Sequence, residues 1–147
     1  MKEVSVMDDY MAMASELLNL RAKMLRVPAD RQLSRMVKGE LFVLNFLATH
    51  EMITHPKELS ENMAVSTARI ASLLNHMEEK HLISRYPDKE DSRQVVVMLT
   101  ETGRQEIQRV RAEVLSYISA MLEGLGPEDA EEYIRIEKKI WSNALHE

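Results

Sequence analysis

The stretch from Pro56 to Gly103 constrains this chain more than any other. It reads PKELSENMAVSTARIASLLNHMEEKHLISRYPDKEDSRQVVVMLTETG, and its apolar spacing changes along the way. Pro56 suits the first position of a helix, where its missing N–H costs nothing, with His55 or Thr54 as the preceding cap. Leu59 and Met63 then fall four apart, on one helical face. Ala64 to Thr67 makes a turn. Ser66 or Thr67 can cap a second helix by accepting a bond from a free N–H two or three residues on. That helix runs from Thr67 to Lys80, with Ile70, Leu73, Leu74 and Met77 as its apolar stripe. Two strands follow, Leu82 to Tyr86 and Gln94 to Leu99, around a polar tip from Pro87 to Arg93.

Helix, turn, helix and hairpin, in that order, make a winged helix-turn-helix, a DNA reader. The second helix turns Ala68, Ser72, Asn75 and Glu79 away from its apolar stripe, flanked by Arg69 and His76. Small and polar side chains let such a helix lie deep in a major groove. Arg69 can take a guanine edge or a phosphate, and Asn75 an adenine. An ordinary amphipathic helix with a solvated face has the same pattern, and taken alone this helix favours that plainer use. The hairpin changes the balance, because an arginine at its tip can enter the narrow, negative minor groove next door. Arg93 is that arginine, and Asp91 pairs with Arg93 or Arg85 to stiffen the tip. Ser66 and Thr67 would hold phosphates at the helix start.

The segment LLNHMEEKHLISRYPDKEDSRQVVVMLTETG resembles the signature of the MarR family of bacterial transcription regulators. Three features carry the likeness: the L-E-x-K-x-L-I-x-R run at Met77 to Arg85, the D-x-R of Asp91 and Arg93, and the L-T-x-x-G of Leu99 to Gly103. Their order and spacing match together. The resemblance implies a homodimeric winged helix on a pseudo-palindromic operator, usually a repressor released by a small ligand, here an apolar or aromatic effector. The DNA contacts it suggests are Ser66, Thr67, Arg69, Ser72, Asn75, His76, Arg85, Asp91 and Arg93. Two positions depart from the family pattern. His81 stands where glycine is usual at the end of the recognition helix, so the left-handed turn there carries some strain. Ser72 stands where many members carry arginine, so base readout rests more on Arg69, Asn75 and His76.

The remaining chain reads as helix. Met7 to Arg26 forms a first helix, with Met7, Tyr10, Met13, Leu17 and Met24 recurring at helical spacing. Pro28-Ala29-Asp30 breaks it. Lys38 to Thr49 forms the next, with Leu41, Leu44 and Leu47 inward and Gly39 allowing close packing. Glu51 to Thr54 links it to Pro56 as a tiny third strand of the wing sheet. Thr100 caps a long helix to about Glu123, striped by Ile107, Val110, Val114 and Ile118. Gly124 to Pro127 breaks it, and Pro127 opens a last helix whose Glu128 and Asp129 suit its positive end. These helices have no reader role. Their surplus apolar surface calls for an isologous dimer that spaces two readers about one DNA turn, ~34 Å, apart. The expected fold is mainly α with a small β wing, one domain over residues 1–147. The reader spans about 30–103, and dimerisation helices occupy 1–27 and 104–147.

Composition narrows the function. The chain has 147 residues, no cysteine and no run of eighteen apolar residues, which excludes disulfides, thiolate metal sites and a membrane span. Met1 to Val4 shows no signal-peptide pattern, so a cytoplasmic location is expected. No P-loop, G-x-S-x-G or G-x-G-x-x-G is present, so no enzyme and no cofactor is expected. Five histidines invite a metal site, yet none has the H-x-x-x-H spacing of a helical ligand pair, and no metal is expected. Met7, Met11, Met13, Met24 and Met36 can line an apolar ligand cavity, although core filling is the plainer use.

The net charge of −5 disfavours a nonspecific nucleic-acid coat. Residues 55–104 hold seven basic and eight acidic side chains, which is awkward for a DNA reader. Residues 21–38 offset this, with Arg21, Lys23, Arg26, Arg31, Arg35 and Lys38 against Asp30 alone. That segment either flanks the reader and meets phosphates or is a solvated charged loop. The near-neutral reader also supports a rival: a winged helix used as a protein-interaction module without specific DNA binding.

Overall fold

Most breaks in the apolar periodicity become breaks between elements. The computed structural model describes residues 6–145. Helices α1 (Val6–Met24), α2 (Pro28–Met36) and α3 (Gly39–Thr49) lead to strand β1 (Ile53–Thr54). Helices α4 (Pro56–Met63) and α5 (Thr67–Glu79) precede strands β2 (Ile83–Pro87) and β3 (Val95–Leu99). Helices α6 (Glu101–Leu125) and α7 (Pro127–Ala144) complete the chain. The fold is mainly helical with a three-stranded antiparallel sheet in the order β1-β3-β2, and the tiny strand before Pro56 is its edge. The reading of Met1 to Val4 lies outside the described residues. No helix among the described residues is long and apolar enough to cross a membrane.

The chain forms two compact units, divided between Ile107 and Gln108 within α6. The first has a core of Val43, Leu44 and Leu47 from α3, Leu59 from α4, and Ile70, Leu74 and Met77 from α5. Ile83 and Val97 join it from the sheet. Burying such side chains contributes about 1.5–3 kcal/mol each, so this cluster holds the helix-turn-helix to its wing. In the second unit, the start of the α6 stripe is buried at Val110 and Val114, whereas α7 buries no side chain.

Three expectations need correcting. The segment around residues 28–36 is neither break alone nor charged loop: it is helix α2, with Pro28 at its first position, Asp30 in its first turn, and Ala29 and Met36 buried. Its signal was present as the seven-residue spacing of those two apolar side chains, hidden among charges. Gly39 does not serve close packing, because a Cβ there meets nothing within 4 Å. Its φ of +62° shows that the chain needs glycine for conformation. Of the N-terminal methionines Met36 does fill the core, whereas Met7, Met11 and Met13 are exposed.

Candidate nucleic-acid interface

Helix α5 is held at both ends by turns that its own sequence builds. Before it, Ala64 adopts a left-handed φ of +52°, and the Val65 N–H donates to the Ser60 carbonyl at 3.2 Å. Ser60 Oγ donates back to the Val65 carbonyl at 2.7 Å, closing the turn. Of the two candidate caps, Ser66 is the one used: its Oγ accepts from the Arg69 N–H at 3.2 Å. That bond satisfies one of the orphan donors of the first turn. His55 precedes α4 without a side-chain cap bond.

After α5, His81 takes φ +59°. Its N–H donates to Glu78 O at 2.9 Å, and the Leu82 N–H donates to Met77 O at 3.0 Å. These two bonds form a Schellman cap, whose left-handed residue is most easily glycine. Thr100 Oγ1 donates to the His81 carbonyl at 2.6 Å and accepts from the Gly103 N–H at 3.0 Å. One hydroxyl therefore ties the end of α5 to the start of α6. Gly103 has to be glycine for space: a Cβ would stand 2.0 Å from the Leu82 carbonyl oxygen.

Held this way, α5 buries Ile70, Leu74 and Met77 and half-buries Leu73. Thr67, Ala68, Arg69, Ser72, Asn75, His76 and Glu79 are all exposed on its other side. The Arg69 guanidinium has no ion-pair partner among the described residues. His76 Nδ1 stands 3.6 Å from Glu79 Oε2. Ser72, His76 and Arg69 line a cleft of about 310 Å³ with Lys38, which precedes α3. The end of the basic segment 21–38 thus reaches the exposed side of α5.

Two candidate contacts are tied to each other. Arg85 on β2 donates from Nη2 to Asn75 Oδ1 at 2.7 Å. The same guanidinium grips Glu78 through Nε at 3.2 Å and Nη2 at 3.1 Å. The Arg85 hydrogen bond holds the Glu78 carboxyl below the usual range. Arg85 therefore fixes the Asn75 amide, which leaves its NH₂ to donate outward. Asp91 pairs with Arg93 and not with Arg85: Asp91 Oδ1 accepts from Arg93 Nε at 3.2 Å and from the Arg93 N–H at 3.1 Å. The Arg93 side chain is 90% exposed at the wing tip. Within residues 55–104, Glu61, Glu78 and Asp91 pair with Lys57, Arg85 and Arg93, whereas Lys80 pairs outside that segment with Glu40 at 2.8 Å.

The sequence reading missed one tie. His55 Nε2 donates to Asp88 Oδ2 at 2.6 Å, joining the start of α4 to the base of the wing tip. The bond holds the Asp88 carboxyl below its ordinary range, helped by the Glu90 N–H. No local spacing signals a bond between residues 33 apart. Among the described residues, no three His, Asp or Glu side chains are grouped to hold a metal.

Comparison with known proteins points the same way. A family described as transcriptional regulator SarA/Rot matches residues 31–110. The HTH-type transcriptional regulator YwhA of Bacillus subtilis (strain 168) is 26% identical over 99 residues, 67% of this chain and 70% of YwhA. A MarR family protein from Bacillus stearothermophilus is similar in structure, with a TM-score of 0.75 and 21% identity over 94% of this chain and 97% of that one. The transcriptional regulator BldR from Sulfolobus solfataricus is similar with a TM-score of 0.62 and 25% identity, over 95% of this chain and 99% of that one.

Proposed function

The chain belongs to the SarA/Rot family of MarR-type winged-helix transcriptional regulators, and on that premise we propose that it is a homodimeric, ligand-responsive repressor of a pseudo-palindromic operator. The exposed side of α5 carries this reading. Arg69, Ser72, Asn75 and His76 would meet base edges in the major groove, with Ser66 and Thr67 against phosphates. Arg93 would probe the minor groove, positioned by Asp91, while Arg85 would act through Asn75.

The reader would occupy about residues 30–103, with residues 1–27 and 104–147 as dimerisation helices. Exposed apolar surface supports this division. None of residues 7–24 is buried, and α7 exposes Ile136, Ile140 and Trp141. Apolar faces of that extent mark an interaction surface. An effector would act by changing the spacing of the two readers, because a misfit with the half-sites lowers affinity.

Selection of bound duplexes from a random pool tests the proposal, with sedimentation to count copies. The expected product is two inverted half-sites about one helical turn apart, bound by a dimer. A single-copy protein with no preference among duplexes at low salt would sink it. Equal binding of random and selected duplexes would favour the protein-interaction module, which the near-neutral charge of residues 55–104 supports.

A further inference from the structure

The wing sheet has a second face, turned away from the core. Register pairs Ile53 with Met98 and Tyr86 with Val96, so these four share the side opposite buried Thr54 and Val97. Ile53, Met98 and Tyr86 are 41%, 38% and 52% exposed, while Val96 on the same side is buried, at 9%. Above them a cavity of about 970 Å³ opens between the sheet, the first turn of α4 and the wing tip. Its wall carries the carboxylates of Glu58 and Asp88, with the His55 ring between them: Nε2 is 2.6 Å from Asp88 and Nδ1 is 4.0 Å from Glu58. Lys89 and Glu90 on the rim offset each other in charge, so the lining is acidic on balance.

We propose that this cavity is a receptor site for a lipophilic organic cation, and that its occupancy loosens the wing tip. Its volume is in the range of small-molecule sites. An apolar floor beside carboxylates suits an ion that is hydrocarbon outside and positive within. The Tyr86 ring adds a face that attracts cations. A hydrophobic anion of the same shape meets the same floor and the wrong charge. A bare metal ion finds no ligands on that floor.

The coupling follows from Asp88. Its carboxylate binds the His55 ring and accepts from the Glu90 N–H at 2.8 Å, and its N–H donates to Gln94 O at 2.9 Å. Asp88 is thus the base on which the Arg93 tip is built. A cation drawn to that carboxylate competes with the imidazole and frees the tip from α4. This second half rests on the reading of the wing as a DNA contact; the first half does not.

Titration calorimetry on the full chain without DNA tests the site, with tetraphenylphosphonium against tetraphenylborate. The cation is expected to bind at least tenfold more tightly than the anion. Glu58→Gln and Asp88→Asn keep side-chain shape and are each expected to weaken the cation at least fivefold. The Glu58 side chain is 54% exposed and accepts from the buried Thr54 hydroxyl, a bond that a glutamine oxygen also accepts, so that variant is expected to fold as the parent does. Equal affinity for the two ions, or unchanged cation binding in both variants, overturns the site. Saturating cation is then expected to weaken the parent's binding to a selected duplex, and to leave His55→Ala, whose tie is already absent, unaffected. An unchanged parent overturns the coupling. A parent that binds the cation and prefers no duplex leaves the cavity standing and overturns the DNA reading instead.

Discussion

Arg85 Nη2 and Asn75 Oδ1 meet at 2.7 Å, so a strand residue sets the orientation of an amide on the exposed side of α5. The arginine is itself clamped by Glu78, one helical turn beyond Asn75. The three form a unit whose members do not act independently.

A double-mutant cycle tests that unit. Asn75→Ala and Arg85→Ala are each expected to weaken binding to a selected duplex. The double variant should lose less than the sum, with a coupling of ~1 kcal/mol. Fluorescence anisotropy on the four proteins measures it. Strict additivity would show that Arg85 does not act through Asn75.

Arg69 and Arg93 separate readout from groove contact. Arg69→Ala is expected to cost ~1–3 kcal/mol on the selected duplex and to relax preference at one base position. Arg93→Ala is expected to cost a similar ~1–3 kcal/mol while leaving the major-groove preference intact. Competition with single-base variants of the duplex distinguishes the two. Equal binding by Arg69→Ala and the parent would remove Arg69 from the interface.

The His55 bond to Asp88 gives a pH signature. A carboxyl held below its unfolded pKa adds stability that is present above that value and lost as pH falls through the folded one. Asp88→Asn is therefore expected to melt below the parent near neutrality. The gap should close in acid, below the ordinary aspartate range of about 3.9. Thermal melts across that range measure the gap; a constant gap would show that the ionised bond is not its source.

Backbone geometry makes a paired prediction about stability. Gly103→Ala is expected to destabilise by ~2–3 kcal/mol, because the added methyl meets a backbone oxygen that cannot yield. Gly124→Ala in the same helix meets nothing within 4 Å and should stabilise by ~0.5–1 kcal/mol. His81→Gly should add ~1 kcal/mol by relieving the left-handed turn. Urea titrations give all three, and a destabilised His81→Gly would show that the ring contributes more than the turn costs.

Local rules carried much of the fold. Pro56, Ser66, Thr100 and Pro127 mark helix starts because a cap or a missing N–H acts within one turn. Ile70, Leu74 and Met77 mark the buried side of α5 because helical spacing is also local. That spacing, with alternation in the hairpin, was enough to place Arg69, Ser72, Asn75 and His76 on the exposed side. Helix α2 escaped because charge diluted its short apolar signal. What the chain alone left open was pairing at a distance. Asp91 could take Arg93 or Arg85, and the folded hairpin gave it Arg93 while delivering Arg85 to Asn75 and Glu78. The His55 bond to Asp88 had no forerunner in the sequence at all. Hydrogen bonds within a turn depend on spacing along the chain, whereas these depend on where β2 and the wing tip come to rest, and only packing of the core decides that.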